Sequence, residues 1–238
     1  SGGATWIDAG GDLAFKAWIG GATNRIEDVI IGDSGSGSGH ANLFVNTTIH
    51  GSACPNSYCI VDNQPQEIFP ISDGLIQDWR NDATSGGVIT GNYSVIADVS
   101  LDPTEITGDL LVTTNNKTLT VNGVIYVRGN VDVDNGSTIR CAASFGPNSC
   151  IIVADGWIHI KNNGTFSGSG QSGSYIMLLS ASSCDGTSAA PPCNTAHHNG
   201  AIDLHNNATG AIFYAAHGLI NLHNGVNVTE VTGYKLHL

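Results

Sequence analysis

His205 and His223 stand at matching places in two short polar-apolar alternations, IDLH and INLH, and two earlier stretches, VDVD and IHIK, follow the same pattern. Laid over one another, these segments give two columns of polar residues. Asp132, His159, Asp203 and Asn221 share the first, with His237 next in line. Asp134, Lys161, His205 and His223 share the second. Imidazole beside carboxylate is the donor set of zinc, copper or nickel sites. The spacing closes no ligand set by itself, so the reading adopted is a solvated polar ladder. No metal and no other cofactor is expected, and His205 and His223 are the pair that would serve if an ion bound. A calcium site on Asp132, Asp134 or Asp155 has no EF-hand loop or GGxGxD repeat to support it.

Enzyme chemistry finds less. A β-helical glycosidase or lyase needs paired carboxylates, or a carboxylate cluster with a base. Asp132, Asp155 and Asp203 with Lys161 could be offered. The chain holds only 8 Lys and Arg, and no GxSxG, Walker, HExxH or CxxCH pattern occurs. Catalysis is not expected.

The elements that would carry these columns are repeats. A Gly opens an alternating strand and an Asn follows at a constant offset: Gly129 and Asn135, Gly156 and Asn162, Gly200 and Asn206, Gly218 and Asn224. Apolar strands precede them: VIYV, IIVA, IMLLS and IFYA. The step from Gly200 to Gly218 is the shortest of the set. The step from Gly129 to Gly156 is half as long again, and shortens to the same value if a loop is set aside. The step from Gly156 to Gly200 is more than twice as long, and implies a skipped rung or a long insertion. Stacked strands sit about 4.8 Å apart, so inward Val, Ile and Leu pile into columns. The repeated Asn can form an amide ladder through Asn135, Asn162, Asn206 and Asn224. The fold expected is all-β: a right-handed parallel β-helix, or β-solenoid, with about 18-residue rungs. Its domain spans 41–238, with loop insertions at 141–150 and 180–199, after a Gly-rich segment at 1–40 that could act as an assembly arm.

Six Cys fall into three local pairs, Cys54 with Cys59, Cys141 with Cys150, and Cys184 with Cys193. Three stapled loops in an oxidising compartment is the simplest reading; six free buried thiols is the alternative. One helix is expected near 72–85, capped by Ser72 or Asp73, with Ile71 as its staple and Leu75, Ile76 and Trp79 on its inner face, stopping at Gly86–Gly87. Only 12% of residues are charged and the net charge is −12. That balance disfavours nucleic acid and anionic membranes as partners, and the sequence contains no span of transmembrane length.

The segments ISDGLIQDW, ITGDLLV, NGVIYVRGNVDV, IIVADGWIHIKNNGTFSGSGQSGSYIMLLS, GAIFYA and VTGYKL resemble a group of β-helical surface proteins of uncultivated, candidate-phylum-type bacteria. These often carry a PilX-type, minor-pilin-like N-terminal segment. The resemblance covers about residues 40–238. It implies a cell-surface location and a structural or pilus-associated role, and it brings no catalytic residues with it.

Three functions follow as expectations. The first is a non-catalytic extracellular structural protein that polymerises head to tail or joins other pilus or surface proteins, with the strand at KLHL open to pairing. The second is an adhesin for glycans, with Trp6, Trp18, Trp79 and Trp157 as stacking platforms. The third is a carbohydrate-active enzyme. An ice-binding Thr array is not expected, because Thr113, Thr114, Thr118 and Thr120 show no recurrence in register. Seven N-x-S/T sequons occur, at Asn46, Asn92, Asn116, Asn135, Asn163, Asn207 and Asn227; those at Asn135, Asn163 and Asn207 read as turn residues.

Overall fold

The computed structural model describes residues 25–27, 30–31, 38–62, 69–187, 193, 200–223 and 225–237. From Val88 onward the chain winds as a parallel β-solenoid with three strands to a turn. The first face stacks Val88–Ile89, Thr104–Ile106, Val124–Val127, Cys150–Ala154 and Ile176–Ser180. The second stacks Tyr93–Ser94, Leu110–Val112, Val131–Val133, Ile158–Ile160 and Ile202–Leu204. The third stacks Val99–Leu101, Thr118–Val121, Thr138–Cys141 and Thr165–Ser167. The strand Ile212–Leu222 then runs around the corner between the first two faces and pairs with Glu230–His237, joining both faces into one 12-stranded sheet.

Alternation places one side chain of each pair inside. Ile125, Ile152, Leu178 and Phe213 form one inward column on the first face. Leu110, Val131, Ile158, Ile202 and Ile220 form another on the second, and all of these are buried. Ile212 faces Glu230 at the expected rung length, the same step that separates Gly200 from Gly218. Other rungs differ because loops leave at the corners. Val124 faces Ile151 across half as much chain again. Ile158 faces Ile202 across more than twice as much, with no rung skipped. Extra chain leaves the stack at 142–149, and in the longest rung both at 168–175 and after Ser180. The disulfide Cys141–Cys150 closes the first, and Cys184–Cys193 lies in the last.

Lengthened rungs also hide a column that sequence spacing does not reveal. Thr118, Thr138, Thr165 and Thr209 do stack in register on the third face, and the Thr138 and Thr165 hydroxyls lie 2.7 Å apart. Thr118 therefore recurs after all.

Beyond its first strand the first face is largely buried on both sides, which is why Val124–Val127, Cys150–Ala154 and Ile176–Ser180 read as apolar runs. Outside it lies the helix Asp73–Gly86, against Tyr126, Ile151, Val153, Leu179 and Tyr214. Ser72 caps the helix, accepting a hydrogen bond from the Leu75 amide at 3.2 Å. Ile76 and Ala83 are the buried residues and Trp79 packs beside them, whereas Leu75 is 41% exposed. The inner stripe thus runs 76–79–83, one position later than expected at its start. Gly86 allows the last turn to approach the sheet: a Cβ there would sit 2.1 Å from the Pro103 carbonyl oxygen.

Strand pairing also runs across the 40/41 boundary expected between the Gly-rich segment and the solenoid. Arg25 pairs with Leu43 and Ile30 with Thr48, both at the separation of Ile212 and Glu230, and Gly39 pairs with Cys59. These parallel pairs repeat the rung step of the main stack, with Cys54–Cys59 stapling their loop. Among the described residues, the strands between Arg25 and Val61 form sheets separate from those that begin at Val88. The apolar run Leu13–Ile19, Trp6 and Trp18 lie outside the described residues.

Three disulfides fit folding in an oxidising compartment rather than a reducing cytoplasm. Among the described residues no helix is long and apolar enough to cross a membrane.

Candidate functional site

Both polar columns form as the alternation predicts. Asp132 pairs with His159, His159 with Asp203, Asp203 with Asn221 and Asn221 with His237, all on the second face. Asp134, Lys161, His205 and His223 follow just past the strand ends, and the His223 amide donates to the Leu204 carbonyl. The middle of the first column is not solvated, however. His159, Asp203 and Asn221 are all buried, with Asp203 only 3% exposed. The described start of the second insertion runs alongside this part of the stack: the Leu219 amide donates to the Cys184 carbonyl, and Lys235 Nζ lies 2.9 Å from Asp185 Oδ2. Asp185 is held low, to about 2, chiefly by the Thr187 hydroxyl and then by Lys235.

The two columns meet at Asp203. The His205 and His223 rings stack 3.8 Å apart and 8° from parallel. Asp203 Oδ1 lies 3.1 Å from His223 Nε2 and 3.6 Å from His205 Nε2. Oδ2 of the same carboxylate is buried without a hydrogen-bond partner among the described residues. Burial, then the neighbouring His223, pushes the His205 pKa below its ordinary value against the pull of Asp203. One rung back, Lys161 lies 3.4 Å from Asp134 and 3.7 Å from Asp132. Desolvation raises the Asp132 pKa, and Lys161 opposes that shift. The site thus gathers a buried carboxylate and two stacked imidazoles, a donor set suited to a borderline cation.

The remaining acid considered for catalysis lies elsewhere. Asp155 closes the first face and is bound by Arg80 of the helix and by the Tyr126 hydroxyl at 2.5 Å. Burial, then this bond, pushes the Tyr126 phenol up to about 12. Glu105 is 2% exposed, takes the Thr84 hydroxyl at 2.7 Å and pairs with Arg128. The Thr84 bond, ahead of Arg128, holds its carboxyl below the usual range despite burial. These groups line an open groove of about 800 Å³ between helix and sheet. Their partners are each other, and the arrangement clamps the helix down. Sequence spacing does not bring Asp155 to Asp132 or Asp203, and neither does the fold.

The Asn ladder is shifted. Asn206 donates to Asn162 at 3.3 Å, and Asn207 donates to Asn163 at 3.2 Å in a second parallel ladder. Asn162 donates not to Asn135 but to the Asp134 carboxylate at 2.6 Å, while Asn135 donates to the Thr113 carbonyl. A charged acceptor outcompetes an amide. Asn224 lies outside the described residues.

A further ladder is one the sequence reading missed. Asn92, Asp109 and Asn130 each accept, through a side-chain oxygen, from the backbone amide one rung on: Asp109, Asn130 and Trp157. The glycine before Asn130 lets the rungs approach; a Cβ on Gly129 would meet Asp109 Oδ1 at 2.3 Å. The recurring Gly-Asn or Gly-Asp pair is its signal. Trp157 lies edge-on to His159, and Trp79 serves the helix packing.

Comparisons with family models, curated proteins and solved structures find no match.

Proposed function

We propose that the chain is a non-catalytic structural module of an extracellular assembly, extended by edge-to-edge stacking of solenoids. The observation that carries this reading is the outer edge of the first rung. Val88–Ile89, Tyr93–Ser94 and Val99–Leu101 each pair on one side only among the described residues. Val88 is 55% and Ile96 77% exposed there. Unpaired strand edges recruit further strands, and here they are open on all three faces at once. The resemblance to β-helical surface proteins points the same way, toward a pilus-associated or surface role. The columns of polar ladders suit a rod that must hold its register outside the cell.

Negative-stain electron microscopy and light scattering over a concentration series test the reading. Rods that lengthen with concentration, and that shorten when Ile96→Lys charges the edge, are the expected result. Monomers at every concentration would overturn it and move the weight to a monomeric glycan-binding adhesin.

A further inference from the structure

We propose that Asp203, His205 and His223 bind one divalent transition-metal ion of the zinc, nickel or copper(II) class. The inference is independent of the assembly reading and rests on the geometry of the second face.

Donor type comes first. Two imidazoles and one carboxylate favour borderline first-row ions over calcium or magnesium, which take oxygen ligands. Distance comes second. Zinc bonds of about 2.0–2.1 Å at tetrahedral angles hold ligand atoms roughly 3.3 Å apart. Asp203 Oδ1 is 3.1 Å and 3.6 Å from the two Nε2 atoms, on either side of that value. One ligand atom from each of the three residues lies within 4.8 Å of the others. The donor atoms are thus at coordination spacing, but the stacked rings hold their in-plane Nε2 lone pairs side by side, so an ion also needs an imidazole to turn out of the stack.

The third observation concerns Asp203 alone. Its side chain is turned toward both imidazoles, the residue is 3% exposed, and Oδ2 has no hydrogen-bond partner among the described residues. Buried polar atoms are nearly always satisfied, and an exception calls for a reason. A cation held on this carboxylate supplies one, because it compensates the buried charge that a single 3.1 Å bond leaves half-served.

The competing account is a stacked His pair with one hydrogen bond to Asp203. It serves Oδ1 alone, whereas an ion held by both carboxylate oxygens serves Oδ2 as well. Lys161, on the neighbouring rung, would repel an ion, but Asp132 and Asp134 both face its ammonium. Entry is available, since the His205 and His223 side chains are 30% and 38% exposed. Three protein ligands leave a fourth position for water or an outside donor. The two His come from consecutive rungs of one rigid stack, so little order has to be gained on binding.

Chelator-treated full-length protein, titrated with Co(II) by visible absorption and with Zn(II) by calorimetry, tests the site. One equivalent bound in the micromolar range or tighter is expected, with tetrahedral-type Co(II) bands displaced by Zn(II). His205→Gln and His223→Gln should each weaken binding by on the order of 100-fold. His217→Gln, at an exposed ring that contacts Asp73 away from this site, should change nothing. Zn(II) should also raise the thermal midpoint of the wild type and not of His223→Gln, provided circular dichroism shows both folded alike. Millimolar or substoichiometric binding by the wild type overturns the proposal. So does binding by His205→Gln and His223→Gln as tight as the wild type's.

Discussion

Asp155 and Asp203 sit on adjacent faces of one solenoid and are satisfied in opposite ways. Asp155, with 34% of its side chain exposed, has a guanidinium on one oxygen and a phenol on the other. Asp203, with 5% exposed, has its polar contacts on one oxygen and, among the described residues, no hydrogen bond on the second. The carboxylate that water could have helped is fully served by protein; the one cut off from water is not. The first belongs to a closed clamp that holds the helix. The second belongs to a set of donors with capacity to spare. The contrast is between the two carboxylates: among the described residues Arg80 Nε is also buried without a partner inside the clamp, whereas the bare Oδ2 of Asp203 belongs to a carboxylate that faces two imidazoles.

The largest effect expected from breaking this contrast is at the clamp. Asp155→Ala strands Arg80 and Tyr126 together and should cost about 2–3 kcal/mol in urea unfolding. A cost no greater than that of a surface substitution would mean the helix holds without the clamp. Tyr126→Phe removes only the phenol bond and should cost about 1–2 kcal/mol, with no loss of helix signal. Asp203→Asn in metal-free protein should cost less than about 1 kcal/mol, since it removes a buried charge along with one hydrogen bond. If it costs more than Asp155→Ala, the contrast collapses.

The smallest effect is in the pH profile. The folded-state pKa of His205 lies below the ordinary value of about 6.5. The unfolded chain therefore binds the proton first, and stability falls as pH drops from about 6.5 through the lower folded value. His205→Gln should flatten that part of the curve. At more acid pH Glu105, lowered when folded, is stabilising above its unfolded pKa, and that stability is lost as pH falls through the folded value. This second decline should persist in His205→Gln.

The site is legible in the sequence for a reason that does not extend to the clamp. His205, His223 and Asp203 belong to consecutive rungs, and alternation with a fixed step is a local property that sequence displays openly. The three disulfides are equally local. Arg80 and Asp155 are 75 residues apart, and their meeting depends on where a helix lands on a sheet. No periodicity encodes that landing. Burial of the first column is hidden too, because alternation says which way a side chain points and not what comes to lie over it. The Asn ladder fails at Asn135 for a chemical reason: the Asp134 carboxylate beside it is the better acceptor for Asn162. Leu75 faces solvent because the helix is turned so that Ile76 and Ala83 look inward.

His159 and Asp203 are neighbours across a long excursion of the chain, and Asp203 and Asn221 are neighbours across a short one. The stack is thus a ruler graduated in strands, indifferent to how much chain is spent between two marks. A peptide spliced into either stapled corner would ride on the rod like a flag on a pole and leave the calibration along the axis untouched. Decoration and length can then diverge independently in descendants of such a chain, one by changing what the corners carry, the other by duplicating a turn.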